Sequence, residues 1–341
     1  MRRTTLRWLS VCGVVCVLAG PDLSRGQEFS PEAVDQAINK AVDYLWTLQR
    51  ADGSWPSYGE NNKYPVGPGA LAVYALLEAG VEPQHPRMAK SLEWLARSPT
   101  HKTYSLGIRC NVWEIVNRKT DQKYYKEFKR DVETLVKSTK NGSYGYNSHG
   151  QGKSAGDNSN SQYGLLGAWA GARANQEIDR KYWYTVMHHW LRMQCADGGW
   201  HYNKAGSHGR GTMTAAGVAS LYVCVDNYLF DAYAECDVDA GMLAPIERGL
   251  DWFERNFAKT AKGNRPNGYY LYGVERVGLA SGYKYFGTAD WYKMGARQLL
   301  RAQTAGGAFT SSGHGGRGLV GTSFGVLFLV RGRNAVLFNK L

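Results

Sequence analysis

The stretch QCADGGWHYNKAGSHGRGTMTAAGVASLY, residues 194–222, decides the fold. Apolar residues at helical spacing lead into it, and Gly198 and Gly199 end that helix, because glycine accepts the left-handed turn that commonly follows a helix. After a basic loop, Thr212 or Thr214 can cap a second helix built from small residues. Small side chains let neighbouring helices approach closely. The stretch therefore predicts an outer helix, a glycine turn, a basic loop and a buried inner helix.

This unit recurs along the chain, and each copy contains a short segment that we call the turn motif. QCADGGW at 194–200 matches QRADGSW at 49–55 and QTAGGAF at 303–309, and STKNGSY at 138–144 fits the frame without the glutamine. Segments of small residues with a Gly-aliphatic or Ala-aliphatic pair follow each turn motif, and two more such segments occur without one. Repeated units of this kind stack because none can bury its apolar face alone. Six helical hairpins are predicted, with a closed ring favoured and an open superhelix as the alternative.

Outer and inner helices alternate in this interpretation. Ser30 caps the first outer helix, with Pro31 at its first helical position. The later outer helices are predicted at 88–97, 124–137, 182–195, 244–257 and 291–302. The inner helices are predicted at 70–79, 104–117, 160–174, 213–228, 269–285 and 322–331.

The N-terminus has the pattern of a secretory signal peptide. Basic residues at Arg2, Arg3 and Arg7 precede an apolar run and then small residues, and the run is too short to span a bilayer. We expect residues 1–26 to be the signal peptide and residues 27–341 to form one exported repeat domain, periplasmic or secreted. A short hydrophobic outer helix is the alternative.

Composition supports a large soluble domain without a stable membrane span. The 341 residues are 43% hydrophobic, which is enough for a sizeable core. The formal net charge is +12, but export and the dispersed Lys and Arg argue against nucleic acid as a partner.

Export permits disulfides, yet no CxxC pair exists, and we expect the cysteines to pack as small hydrophobic residues. The cysteines concerned are Cys110, Cys195, Cys224 and Cys236.

The turn motifs, with their Gln-Gly-aromatic pattern, resemble the QW motifs of squalene-hopene and oxidosqualene cyclases and of protein prenyltransferase β subunits. The resemblance spans nearly all of the chain after residue 26 and implies an all-α fold, the α/α toroid (α6/α6 barrel) of six helical hairpins. Residues 207–221, SHGRGTMTAAGVASL, resemble a prenyltransferase stretch whose His contacts a diphosphate. That match makes His208 an anion ligand. Segments such as DNSNSQYGLLG are also similar to exported repeat proteins of planctomycetes.

The chain departs from these families at their chemistry. By the resemblance, the zinc ligands of prenyltransferases fall on Asn267, Tyr269 and Gly321, none of which is an Asp, Cys or His. The acidic Asp-x-Asp-Asp motif of triterpene cyclases has only Asp237-Val238-Asp239-Ala240 as a partial counterpart. We therefore expect no metal, no cofactor and neither of the two familiar reactions.

Three Gly/His-rich loops precede inner helices, where free backbone N–H groups and the helix dipole favour anions. They predict a cationic mouth that binds an acidic or glycan ligand; solvated loops and a zinc site are the alternatives. The residue before the third inner helix, Asp157, can face this mouth but also suits a helix N-cap. The predicted ligand-binding residues are His149, Lys153, His208, Arg210, His314, Arg317, Asp157 and Tyr270.

Charged residues at one level of the inner helices suggest a deeper site. Arg109 and Glu275, joined by Arg276, are predicted to form a buried pair, since buried charges need partners. As a hypothesis, Glu275 acts as general acid or base and Arg109 holds an acidic group; a purely structural ion pair is the alternative. Tyrosines that either stack on sugars or fill the core are Tyr104, Tyr269, Tyr270 and Tyr272.

Three functions follow from these patterns. The first is an exported, non-catalytic toroid that binds an acidic polymer, glycan or partner segment at its mouth. The second is an enzyme, either a polysaccharide lyase or a divergent terpenoid-type cyclase or transferase on an isoprenoid-like molecule, working in the central cavity. The third is an interaction scaffold. A pocket that reaches Glu275 would favour the enzyme.

Overall fold

The structure is a computed structural model that describes residues 29–57, 64–148, 156–228, 240–261, 266–312 and 318–333. Within these ranges the chain forms twelve α-helices, and the predicted signal peptide lies outside them. The outer helices are α1 (Pro31–Leu48), α3 (Pro86–Arg97), α5 (Tyr125–Ser138), α7 (Arg180–Arg192), α9 (Ala244–Thr260) and α11 (Trp291–Ala302). The inner helices are α2 (Gly67–Glu78), α4 (Thr103–Lys119), α6 (Asn158–Arg173), α8 (Gly211–Tyr228), α10 (Gly268–Ser281) and α12 (Gly318–Arg331).

The inner helices close into a ring, which we call the inner barrel. Helix α2 packs on α4, α4 on α6, α6 on α8, α8 on α10, α10 on α12, and α12 again on α2. Helix α1 contacts both α11 and α12, so the first hairpin lies against the last. The predicted α/α toroid is confirmed, and the open superhelix is excluded.

Inner and outer helices differ in how much surface they bury. Helix α5 buries one stripe that includes Phe128, Val132 and Leu135, as expected for an amphipathic helix on a core. Helix α2 buries every residue from Gly67 to Leu77, because other helices surround it on all sides. This arrangement explains why small residues are so frequent in the inner helices.

The glycine of each turn motif is required by the packing of the next outer helix. Gly198 has φ 89°, and a Cβ atom on it would lie 2.6 Å from the carbonyl oxygen of Arg248. Gly307 has the same φ, and a Cβ atom there would lie 2.1 Å from the Lys40 oxygen. The corresponding glycines of the other two motifs, Gly53 and Gly142, also have positive φ and meet a backbone oxygen. Residues 138–144 are therefore a true member of the repeat.

The glutamines of the turn motifs tie consecutive outer helices together. Gln194 Nε2 donates to the carbonyl oxygen of Gly198 at 2.9 Å and to that of Pro245, in α9, at 2.8 Å. Gln303 Nε2 makes the equivalent bond to the Ala37 oxygen in α1 at 2.8 Å. The last of these glutamines thus joins the sixth hairpin to the first and helps to close the toroid.

The aromatic residues of the turn motifs clamp the inner helices. The backbone N–H of Trp200 donates to Thr214 Oγ1 at 3.1 Å, and the indole lies over Gly217, where a Cβ atom would come within 2.3 Å. The N–H of Phe309 donates to Thr322 Oγ1 in the same way, also at 3.1 Å. Close contact between an aromatic ring and glycine brings each hairpin's loop onto its inner helix.

One predicted boundary was wrong. The inner helix predicted at 269–285 ends at Ser281, because Gly282 adopts the left-handed conformation, with φ 71°. The chain then forms a small antiparallel pair, β1 (Tyr285–Phe286) with β2 (Ala289–Asp290). In the described ranges, no helix has the length and apolar character needed to cross a membrane.

Candidate functional site

A chain of hydrogen bonds crosses one end of the inner barrel. Tyr104 OH bonds Ser159 Oγ, which contacts Tyr269 OH at 2.8 Å. Gln162 Nε2 donates to Tyr269 OH, and Arg276 Nη1 donates to Gln162 Oε1 at 3.1 Å. Tyr104 is the second residue of α4, Ser159 of α6 and Tyr269 of α10. The N-terminal ends of these three helices therefore meet here. The chain therefore joins three inner helices at one opening of the barrel.

Aromatic rings surround this polar chain. The centroids of Tyr104 and Tyr163 are 4.4 Å apart, and those of Tyr163 and Tyr269 are 6.2 Å apart. Phe324 of α12 lies 5.8 Å from Tyr269 and 5.5 Å from Tyr272. Tyr104 and Tyr269 are half-buried, whereas the other three are buried. We call these five residues the aromatic mouth.

The phenols of the aromatic mouth are neutral donors. Burial raises the pKa of Tyr269 to about 12, and it raises the pKa of Tyr104 and Tyr163 well above the ordinary value. The hydroxyl of Tyr163 and Nη2 of Arg276 are buried and have no hydrogen-bond partner among the described residues. Buried polar atoms are normally paired, so unpaired donors of this kind indicate a place for a ligand or water.

Glu275 lies in a different cluster from the one predicted. Its Oε1 accepts from Arg331 Nε at 3.0 Å, and Nη1 of Arg331 also donates to Glu78 Oε1 at 2.8 Å and to Tyr74 OH at 2.6 Å. Burial raises the pKa of Glu275, although the charge of Arg331 opposes the effect. The second carboxylate oxygen, Oε2, has no partner in the part of the chain that the structure describes. A fully buried carboxyl group with one free oxygen can hold or donate a proton.

The predicted pair between Arg109 and Glu275 is wrong. Arg109 binds Asp131 of α5, with Nε–Oδ2 at 2.7 Å and Nη2–Oδ1 at 2.9 Å. Its Nη1 donates to the backbone oxygens of Leu95 and Ser98. Arg109 is buried as predicted, but it contacts the outer layer rather than Glu275. Every nitrogen of this guanidinium is bound by protein, so Arg109 is a structural residue and does not hold an acidic ligand.

The cationic mouth is only partly described. The side chain of His208 is 85% exposed, with Nδ1 3.8 Å from Asp197 Oδ2, and Arg210 is also exposed. The remaining predicted cations, His149, Lys153, His314 and Arg317, lie outside the described residues, so their convergence stays a prediction.

Two other predicted ligand residues serve the fold. Asp157 is buried and caps α6, with Oδ1 accepting from the Asn160 N–H at 2.8 Å. Tyr270 does not face the opening, because its hydroxyl bonds Thr260 Oγ1 of α9 at 2.7 Å and its ring packs near Phe257. The capping alternative for Asp157 is confirmed; the contacts of Tyr270 are those of a packing residue, and its role in ligand binding stays a prediction.

Three residues of the site were not among those predicted from the sequence: Ser159, Gln162 and Tyr163. All three lie on one face of α6, at the spacing that brings side chains together. A run of polar residues in a helix that is otherwise buried was the signal that could have found them.

The residues present do not fit the zinc site of prenyltransferases. Asn267 Oδ1 caps α10 by accepting from the Tyr270 N–H at 3.1 Å, and the hydroxyl of Tyr269 belongs to the polar chain. Across the described ranges, no group of three or more His, Cys, Asp or Glu could hold a metal ion. Three cysteines, Cys110, Cys195 and Cys224, are free and buried; Cys236 lies outside those ranges.

No protein-family model matches the chain, and no curated protein matches it significantly. Solved structures share its fold. An inactive variant of the α-1,6-mannanase GH76A of Salegentibacter sp., in complex with α-1,6-mannotriose, superposes with a TM-score of 0.64 at 10% identity, over 87% of this chain and 98% of that one.

Two further solved structures extend the comparison. The type II terpene cyclase MstE from Scytonema, with the substrate geranylgeranyl dihydroxybenzoate, has a TM-score of 0.57 at 12% identity, over 88% of this chain and 97% of that one. An unsaturated glucuronyl hydrolase specific for heparin has a TM-score of 0.60 at 11% identity, over 89% and 97%. All three are α/α toroids, so the comparison supports the resemblance at the level of the fold.

Proposed function

We propose that this protein binds a carbohydrate chain at the aromatic mouth. The observation that carries the proposal is the combination of stacked phenol rings with a fixed line of hydroxyl, amide and guanidinium groups at one opening of the barrel. Ligand sites combine apolar and aromatic walls with a few placed polar groups. Sugars offer both an apolar ring face and hydroxyl groups, and the mouth matches both features.

The comparisons support this ligand class by analogy. Toroids of the same fold include one with bound α-1,6-mannotriose and one specific for heparin. The isoprenoid alternative rests on the terpene cyclase, whose ligand carries a geranylgeranyl chain. The Tyr163 hydroxyl and Arg276 Nη2, which have no partner among the described residues, favour a sugar, because an isoprenoid chain would leave these buried donors unpaired.

Calorimetric titration with a panel of oligosaccharides tests the proposal. Tyr269→Leu removes one ring and one hydroxyl from the mouth, and we expect it to weaken binding about 10-fold. Tyr184→Leu is the matched control, because Tyr184 is exposed on the outer helix α7. Equal affinities for the wild type and Tyr269→Leu would place the binding site elsewhere.

A second candidate function is catalysis with Glu275 as general acid or base. The buried carboxyl group with a raised pKa and an unpartnered Oε2 favours it. Incubation with any oligosaccharide that binds, followed by product analysis, tests this candidate: Glu275→Gln should abolish turnover and leave binding intact. Absence of product with the wild type would leave the binding function, or the scaffold, as the alternatives.

We also propose that residues 1–26 direct export to the periplasm or the medium. The basic start and the following apolar run support this proposal. Mass spectrometry of the N-terminus of the mature protein tests it, and an intact Met1 start would contradict it.

A further inference from the structure

We infer that Arg276 recognises an anionic substituent, so that the bound carbohydrate is an acidic sugar carrying a carboxylate or a sulfate. The inference rests on the proposed binding function and names its ligand class. Three arginines of the inner helices are buried or half-buried: Arg109, Arg276 and Arg331.

Two of these arginines have carboxylate partners within the protein. Arg109 is paired with Asp131 at 2.7 Å, and Arg331 is paired with Glu275 at 3.0 Å and with Glu78 at 2.8 Å. Arg276 is only 7% exposed, and among the described residues it forms no ion pair. It therefore stands out as a buried guanidinium that no described carboxylate contacts; Glu275, which is bound to Arg331, acts on it only at longer range.

A buried guanidinium cannot relieve this situation by losing its proton, because arginine stays charged in proteins. Burial of an unpaired charge is costly, so such a group normally finds an anion. The polar contacts of Arg276 are one bond from Nη1 to Gln162 Oε1 at 3.1 Å and the face of the Tyr272 ring, 5.9 Å from its guanidinium carbon. Nη2 has no partner within the described ranges and is available to an incoming anionic oxygen.

The site holds Arg276 in a fixed position. Gln162, which accepts from Nη1, is itself bound to Tyr269, and Tyr269 is bound to Ser159. A second unpartnered donor, Tyr163 OH, lies close enough for the charge of Arg276 to act on it. Two donors without partners, one of them charged, match an oxyanion better than a neutral hydroxyl group.

The occupant follows from what surrounds these donors. The half-buried rings of Tyr104 and Tyr269 lie nearer the opening and suit the face of a sugar, while Arg276 lies deeper, beyond Gln162. A uronic acid or a sulfated sugar places a ring and an anionic group on one residue of the chain. A carboxylate and a sulfate share the chemistry that Arg276 recognises, and titration distinguishes them.

The test is titration of the whole chain with three trisaccharides: an oligogalacturonate, its carboxyl-reduced neutral form and a sulfated form of that neutral sugar. We expect the wild type to prefer an acidic form. Arg276→Gln should weaken acidic-ligand binding about 10- to 100-fold and change neutral-ligand binding by less than about 2-fold. Arg118→Gln controls for net charge, because Arg118 is 68% exposed near the end of α4.

Unfolding without ligand separates recognition from a structural role. Since Arg276→Gln removes an unpaired buried charge, its unfolding midpoint should equal or exceed that of the wild type. A large fall in that midpoint would show that the protein itself uses the charge and would overturn the inference. Arg276→Lys keeps the charge but lacks the second guanidinium nitrogen, so it should fold like the wild type and lose affinity for acidic ligands alone.

The titration also separates a failure of acidic-sugar recognition from a failure of carbohydrate binding as a whole. Equal wild-type affinity for the neutral and acidic sugars, or equal loss of both in Arg276→Gln, overturns acidic recognition and leaves carbohydrate binding in place. Failure of every trisaccharide and of the wider oligosaccharide panel overturns carbohydrate binding and this inference with it.

Discussion

Removal of the Asp131 carboxylate should destabilise the protein severely, because it leaves a buried guanidinium without its counterion. Arg109 donates to both oxygens of Asp131, at 2.7 and 2.9 Å, and each side chain is 1% exposed. The indole N–H of Trp113 also donates to Asp131 Oδ2 at 3.0 Å. In Asp131→Ala the guanidinium keeps only the carbonyl oxygens of Leu95 and Ser98.

The expected cost follows from these contacts. Breaking a buried ion pair by removing one partner costs about 3 to 5 kcal/mol. The unsatisfied Trp113 N–H adds on the order of 1 kcal/mol. A loss of about 5 kcal/mol is comparable to the whole stability of many domains. By contrast, Arg109→Met with Asp131→Leu replaces the pair with apolar side chains, and the double variant should be more stable than either single one.

Urea unfolding of the wild type, the two single variants and the double variant measures this coupling. Glu133→Ala is the control, because its pair with Lys137 is exposed and should contribute about 0.5 kcal/mol or less. An Asp131→Ala variant within about 1 kcal/mol of the wild type, or a double variant that equals the sum of the singles, would refute the reasoning. Unchanged sugar binding by the folded double variant would support the structural role of Arg109.

Three further perturbations test the fold. Gly217→Ala should cost about 1 to 3 kcal/mol in chemical unfolding, because its Cβ would lie 2.3 Å from the buried Trp200, whereas Gly206→Ala meets no atom within 4 Å and should change little. Gln303→Leu removes the amide that joins α11 to α1 and should lower the unfolding free energy by about 1 to 2 kcal/mol; an unchanged value would deny it a role in closing the toroid. Burial lowers the pKa of His189 from 6.5 to about 4, so the unfolded state binds the proton first and about 3 kcal/mol of stability should be lost as pH falls from 6.5 to 4. In His189→Gln this part of the pH dependence should disappear from unfolding curves, and its persistence would contradict the assignment.

Local patterns were enough to predict the hairpins. The turn at Gly198 and the cap at Asp157 depend on a few neighbouring residues, so the sequence places them directly. The helix predicted at 291–302 has these bounds in the structure, and most other predicted ends lie within a few residues. The helix predicted at 269–285 ran too long because an apolar-aromatic run continues past Gly282.

The candidate site was less accessible to sequence reasoning. Burial of Arg109 and Glu275 was predicted correctly, but their partners were not. For Tyr269 the sequence left two roles open, filling the core or stacking on a sugar. The polar face of α6 was not predicted at all. A side chain's partner depends on the rotation of each helix about its own axis, and sequence spacing does not report that angle between different helices.

The chain's own pattern was therefore sufficient for the repeat, the alternation of amphipathic and fully buried helices, and the glycine and glutamine positions that join them. All of these depend on contacts within a hairpin or on the same contact repeated in each hairpin. Arg109 faces outward to α5, Glu275 faces sideways to α12, and Arg276 contacts no carboxylate of the described residues. These outcomes required the packed barrel. Packing sets them because a rotation of one residue position, about 100° around a helix, exchanges one neighbouring helix for another.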